Sequence, residues 1–170
     1  SAYRWAREIG ADYLECDMQV SKDGVVLALH DDNLKRTTNI ETVFGETLPR
    51  EIRKNYYMKI GYSETEAEEK VKADEANFVP NLPAYYTYEE LLMLDAGSWF
   101  NNENLEEALP GLAKEKQYIS TLEDLIMYSK GYRLIRDRNQ PGMPRQYSIV
   151  GKTGETITSL SGTADIVKYD

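Results

Sequence analysis

The chain has 170 residues, with 29 acidic against 20 basic side chains and a formal net charge of -9. That balance argues against a general nucleic-acid binder, which needs a basic footprint for phosphates, and against an anionic membrane surface. Its 41% hydrophobic content suffices for one domain with a core. No run of about 18 apolar residues is present to span a bilayer, and the single cysteine, Cys16, cannot form an internal disulfide.

Residues 1–9 read as the end of an amphipathic helix, with Ala2, Trp5 and Ile9 at helical spacings and Gly10 as its stop. A strand is expected over Tyr13 to Val20. The Asp23-Gly24 turn follows, and then the apolar run Val25 to Leu29, which reads as a strand covered on both faces and so suggests a parallel sheet. Residues 39–87 are polar and read as an insertion into something more regular. Within them 63–76 is expected to be a solvated helix with Glu66–Lys70 and Glu68–Lys72 pairs. The 13 tyrosines, most of them after residue 55, fit a large irregular surface segment.

Order is expected to return at 88–100 and at the helix 120–130, capped by Ser120 or Thr121, with Glu123 or Asp124 in its first turn and Lys130-Gly131 at its end. Beyond Gly131 the chain reads as irregular, with a basic patch of Arg133, Arg136, Arg138 and Arg145. The Gly-Lys-Thr of residues 151–153 lacks the upstream glycine of a phosphate-binding loop, since Gln146 stands there.

Three residues carry the chemistry. Alternation along a strand places Tyr13, Glu15, Asp17 and Gln19 on one face, with the Cα atoms of Glu15 and Asp17 about 7 Å apart. Two carboxylates that close repel unless a hard cation such as Ca²⁺ or Mg²⁺, which prefers oxygen ligands, lies between them. An antiparallel strand with its polar face in water satisfies the same alternation. His30, the only histidine, stands where the next strand ends and titrates near neutrality, so it can deliver a proton to a leaving oxygen; a structural role is the alternative. Arg36 follows closely enough to reach a phosphate or to form a structural salt bridge. Cys16 points to the opposite face and reads as a small buried hydrophobe.

The stretch GADYLECDMQVSKDGVVLALHDDNLKRTT (10–38) resembles the signature of glycerophosphodiester phosphodiesterases: Gly-Ala-Asp, a Glu-x-Asp pair, Asp-Gly, then His-Asp and Arg-Thr-Thr. LDAGSWF (94–100) and STLEDLI (120–126) are similar to two further stretches of that family. The resemblance implies an α/β fold, part of a TIM (β/α)8 barrel, formed by residues 1–38 and 88–130, with 39–87 inserted after the His strand. Residues 131–170 would then form an irregular extension or a second insertion. It implies Ca²⁺- or Mg²⁺-dependent hydrolysis of glycerophosphodiesters, such as glycerophosphocholine, to glycerol 3-phosphate and an alcohol. Carried over by position, Glu15 and Asp17 are metal ligands and His30 is the general acid/base.

The family's His-Arg-Gly motif and its later Glu-x-Lys strand are absent from this sequence. A TIM barrel typically needs about 250 residues, so the chain is expected to be a fragment, inactive and poorly stable by itself. The sphingomyelinase-type phospholipase D of the same barrel shares the Glu-x-Asp pair, but the Asp-Gly turn and the Arg-Thr-Thr continuation favour the phosphodiesterase. A non-catalytic binding module built on a degenerate barrel is the alternative from another class. The inserted segment suits a periplasmic or secreted protein.

Overall fold

The Asp-Gly turn decides the sheet. Gly24 takes φ +85°, a conformation that glycine adopts without a Cβ penalty. Ser21 closes the turn by accepting the Val25 N–H on its Oγ at 2.9 Å and donating to Asp23 Oδ1 at 2.6 Å. Strands β1 (Met18–Val20) and β2 (Val26–Ala28) therefore run antiparallel, with Met18 opposite Ala28 and Val20 opposite Val26. This corrects the expected parallel pairing: a parallel connection needs a crossover of about a dozen residues, and the turn supplies far fewer. The expected strand from Tyr13 also shortens, because the ladder takes up only Met18–Val20. Met18 and Val20 are 53% and 49% exposed.

This computed structural model describes residues 6, 9–97, 99, 106 and 116–129, with the backbone of 132–135, 149–150, 156–157 and 165–168. Most of the expected helix 1–9 lies outside these residues. Its end is visible: Ala6 is helical, Gly10 has φ +83°, and the Ala11 N–H reaches the Ala6 carbonyl at 3.0 Å, the six-residue bond of a Schellman stop. The Lys130-Gly131 stop, the side chains of Arg133, Arg136, Arg138 and Arg145, and residues 151–153 also lie outside.

Residues 39–87 build much of the core. Helices α1 (Ile40–Val43), α2 (Arg50–Lys59) and α3 (Glu64–Ala76) are followed by a 3-10 turn (Pro83–Tyr85) and α4 (Tyr88–Leu91). Ile40, Leu48, Tyr56, Ile60, Ala67, Val71 and Tyr86 join Leu27, Tyr88, Leu91 and Ile119 in one buried cluster. Tyrosines expected on an irregular surface are thus core residues. Their rings fill volume while their hydroxyls find partners: Tyr57 donates to Asp74 at 2.7 Å and Tyr88 to the Ile119 carbonyl at 3.2 Å.

Helix α3 begins at a capping box, with Ser63 Oγ accepting from Glu66 N and the Glu66 carboxylate from Ser63 N. It is less solvated than expected, since Ala67 and Val71 are fully buried. Glu68 bonds Arg50 across the helix pair at 2.6 Å, and Lys70 lies over the Tyr57 and Tyr62 rings. Helix α5 (Leu122–Ser129) starts at Thr121, whose N–H donates to Asp124 while its Oγ1 accepts from Asp124 N. The same segment borders β2, with the Ala28 N–H donating to the Ser120 carbonyl at 2.8 Å.

Two further antiparallel ladders pair β3 (Tyr132–Ile135) with β6 (Asp165–Lys168) and β4 (Ile149–Val150) with β5 (Thr156–Ile157), in a region expected to be irregular. YRLI and DIVK hold the aromatic and branched residues that fit a pleated surface. Among the described residues the architecture is mixed α/β with three two-stranded sheets, and no helix is long and apolar enough to cross a membrane.

Candidate active site

The hairpin continues beyond its ladder, with the Leu29 N–H donating to the Asp17 carbonyl at 3.0 Å. That bond sets Asp17, before β1, beside His30, after β2. His30 Nε2 lies 4.0 Å from Asp17 Oδ2. Both side chains face solvent, as does Glu15 two residues earlier, while Leu14 and Cys16 turn inward and are half-buried. The alternation expected over residues 13–17 therefore appears in the exposures although no ladder includes them.

A residue not singled out from the sequence organises the other side of the histidine. Asp31 Oδ1 lies 2.7 Å from His30 Nδ1. Its carboxylate also accepts a fork from Arg36, with Nε to Oδ2 at 2.7 Å and Nη2 to Oδ1 at 2.8 Å. Such planar pairs are geometrically selective. Arg36, first of all, and then His30 hold the Asp31 carboxyl well below the usual carboxylate range. In turn the Asp31 hydrogen bond, followed by the Asp17 charge, pushes the His30 imidazole above its ordinary 6.5.

Buried anchors bring Arg36 back over the strand end. Leu34 is fully buried, and its N–H donates to the Asn81 carbonyl at 2.8 Å. Asn33 accepts from Lys35 N at 3.0 Å, and Thr38 Oγ1 donates to the Leu34 carbonyl at 2.6 Å, closing residues 33–38 into a tight turn. The guanidinium of Arg36 then lies 5.4 Å from the centre of the Trp99 ring, within cation–π range. Asp95 ties this region together: its N–H donates to Asn39 Oδ1, and its Oδ1 accepts from Gly97 N and Gln117 N. The LDAGSWF stretch is thus linked to the site through Trp99. Ser98 and Phe100 lie outside the described residues.

Glu15 and Asp17 are hard oxygen donors open to solvent. Among the described residues no three histidine, cysteine or carboxylate groups gather as a metal cluster. The oxygen atoms of Glu15 and Asp17 are of the donor type that Ca²⁺ and Mg²⁺ prefer.

The family model described as the glycerophosphoryl diester phosphodiesterase family matches residues 1–149. The chain belongs to this family. It is 27% identical over 125 residues to a glycerophosphodiester phosphodiesterase of Bacillus subtilis (strain 168), covering 74% of this chain and 29% of that protein. It is 28% identical over 176 residues to a glycerophosphoinositol inositolphosphodiesterase of Mus musculus, covering 98% of this chain and 27% of that protein. A 54-residue stretch is 41% identical to a glycerophosphodiester phosphodiesterase of Caldanaerobacter subterraneus subsp. tengcongensis, covering 32% of this chain and 22% of that protein. The chain spans between a fifth and a third of the length of these relatives.

Proposed function

We propose that this chain contributes to the active site of a metal-dependent phosphodiesterase that hydrolyses glycerophosphodiesters to glycerol 3-phosphate and an alcohol. The observation that carries this reading is the approach of His30 Nε2 to Asp17 Oδ2 at the open end of one hairpin, with Glu15 exposed two residues before Asp17. Family membership supplies the substrate class, and the names of the bacterial relatives point the same way.

In this reading Glu15 and Asp17 hold a Ca²⁺ or Mg²⁺ ion. When bound, the ion neutralises phosphodiester charge and stabilises the charge that builds in the transition state. His30 exchanges a proton at Nε2 with a reacting oxygen of the ester. Arg36 takes the salt-bridge alternative and holds Asp31 beside the histidine. The hairpin and its neighbours belong, on this proposal, to part of a TIM barrel within a longer polypeptide. That polypeptide would supply the His-Arg-Gly motif and the Glu-x-Lys strand expected after residues 120–126.

The test is ³¹P NMR of glycerophosphocholine incubated with the longer polypeptide and either Ca²⁺ or Mg²⁺. Appearance of glycerol 3-phosphate is the expected result. Intact substrate under both metals would overturn the reading.

A further inference from the structure

We infer that Asp31 is a positioning residue that fixes His30 in the tautomer protonated at Nδ1, leaving Nε2 as the one ring nitrogen that exchanges a proton on the Asp17 side. Its catalytic consequence rests on the phosphodiesterase reading above; the tautomer itself does not.

Asp31 is ionised, clamped by two N–H groups of Arg36, and an ionised carboxylate only accepts hydrogen bonds. The nitrogen 2.7 Å from its Oδ1 must therefore be the donor, and that nitrogen is Nδ1. A neutral imidazole in water favours the proton on Nε2, so the protein has to impose the other form. The Arg36 fork prevents the carboxylate from rotating away. Arg36 in turn is set by the buried Leu34 and lies over Trp99. The proton-free Nε2 then faces Asp17 across 4.0 Å, the side on which the substrate is proposed to bind. A carboxylate that fixes an imidazole tautomer in this way is a recurrent device for making one ring nitrogen the proton carrier.

The test reads the ring ¹⁵N–¹H correlation spectrum of the longer polypeptide, where the His30 signals are those lost in His30→Gln. It is recorded without divalent metal at a pH where the ring is neutral. The wild type is expected to show the proton on Nδ1 and a bare Nε2. In Asp31→Asn the amide can donate to Nδ1, so the proton is expected to move to Nε2, and Asp31→Glu restores part of the Nδ1–H form. A wild-type ring protonated mainly at Nε2 overturns the inference whether or not the variant folds. So does an Asp31→Asn ring that keeps the wild-type tautomer.

In a longer polypeptide that turns over glycerophosphocholine, Asp31→Asn should lower kcat by about 10²-fold or more with little change in KM, and Asp31→Glu should recover part of it. An unchanged kcat with a moved proton refutes the positioning role. A wild type with the Nδ1–H ring and no turnover counts against the phosphodiesterase reading and leaves the tautomer standing.

Discussion

Replacing Arg53 by methionine in the longer polypeptide should remove a large fraction of the stability of the domain that contains it. Arg53 on α2 is fully buried, and its fork meets the equally buried Glu90 on α4 at 2.8 and 2.7 Å. It also donates to Asp74 on α3 and to the Tyr85 carbonyl at 2.7 Å. Without the guanidinium, Asp74 keeps Lys22 at 2.8 Å and the Tyr57 hydroxyl at 2.7 Å, so it loses little. Glu90 keeps only the backbone and hydroxyl of Thr87, its partners in the capping box. The cost is therefore that of one unpaired buried carboxylate, about 3–5 kcal/mol, against a total of roughly 5–15 kcal/mol for a domain. With a urea slope of about 2 kcal/mol/M, the midpoint should fall by about 2 M. The double variant Arg53→Met, Glu90→Gln should regain much of the loss, because the charge left stranded is gone. Urea unfolding followed by far-ultraviolet circular dichroism reads both. A midpoint shift below about 0.5 M in the single variant, or no recovery in the double one, would refute the reasoning.

Three further outcomes follow from single contacts. A Cβ at Gly97 would lie 2.6 Å from Gln117 Cβ, so Gly97→Ala should cost about 1–3 kcal/mol by overpacking, visible as a lower urea midpoint. Although burial works the other way, hydrogen bonds from Lys22, Tyr57 and Arg53 hold Asp74 below its ordinary 3.8. The stability it contributes is present above that value and lost as pH falls through the lower folded value, and Asp74→Asn should flatten that limb of an acid titration of folded fraction. His30 should titrate above 6.5, with Asp31 as the main cause; its contribution to stability is full below 6.5 and is lost as pH rises through the folded value. Ring-proton NMR without metal should show Asp31→Asn moving that titration downward.

The features legible in the sequence are those whose signal is local. Gly10 as a helix stop, the Asp23-Gly24 turn, the Ser63 start of α3 and the Thr121 start of α5 each depend on residues within about five positions of one another, and all take the expected form. Asp17 and His30 come together because a short turn joins their strands. What stayed hidden depends on distant pairing. Arg53 and Asp74 lie in the segment read as polar and Glu90 just beyond it, and only the folded chain brings the three together across 21 and 37 residues. The tyrosines misled for the same reason, since their hydroxyl partners lie 17 and 31 residues away. Asp31 was partly visible: it follows His30 directly and stands five residues before Arg36, a spacing that a tight turn closes. The apolar run of β2 suggested two covered faces; Val25 and Leu27 on one face are buried while Val26 and Ala28 on the other are half-buried, and β1 and the Ser120–Thr121 segment pair with its two edges.

The most direct measurement is the rate of glycerophosphocholine hydrolysis by the longer polypeptide bearing His30→Ala or Asp17→Ala, each compared with the wild type at saturating Mg²⁺ and at saturating Ca²⁺. A kcat lower by about 10²–10⁴-fold is expected for His30→Ala, and a raised metal requirement for Asp17→Ala. Wild-type turnover in His30→Ala, with the metal requirement unaltered in Asp17→Ala, would contradict the account and place the chemistry elsewhere than at the ends of this hairpin.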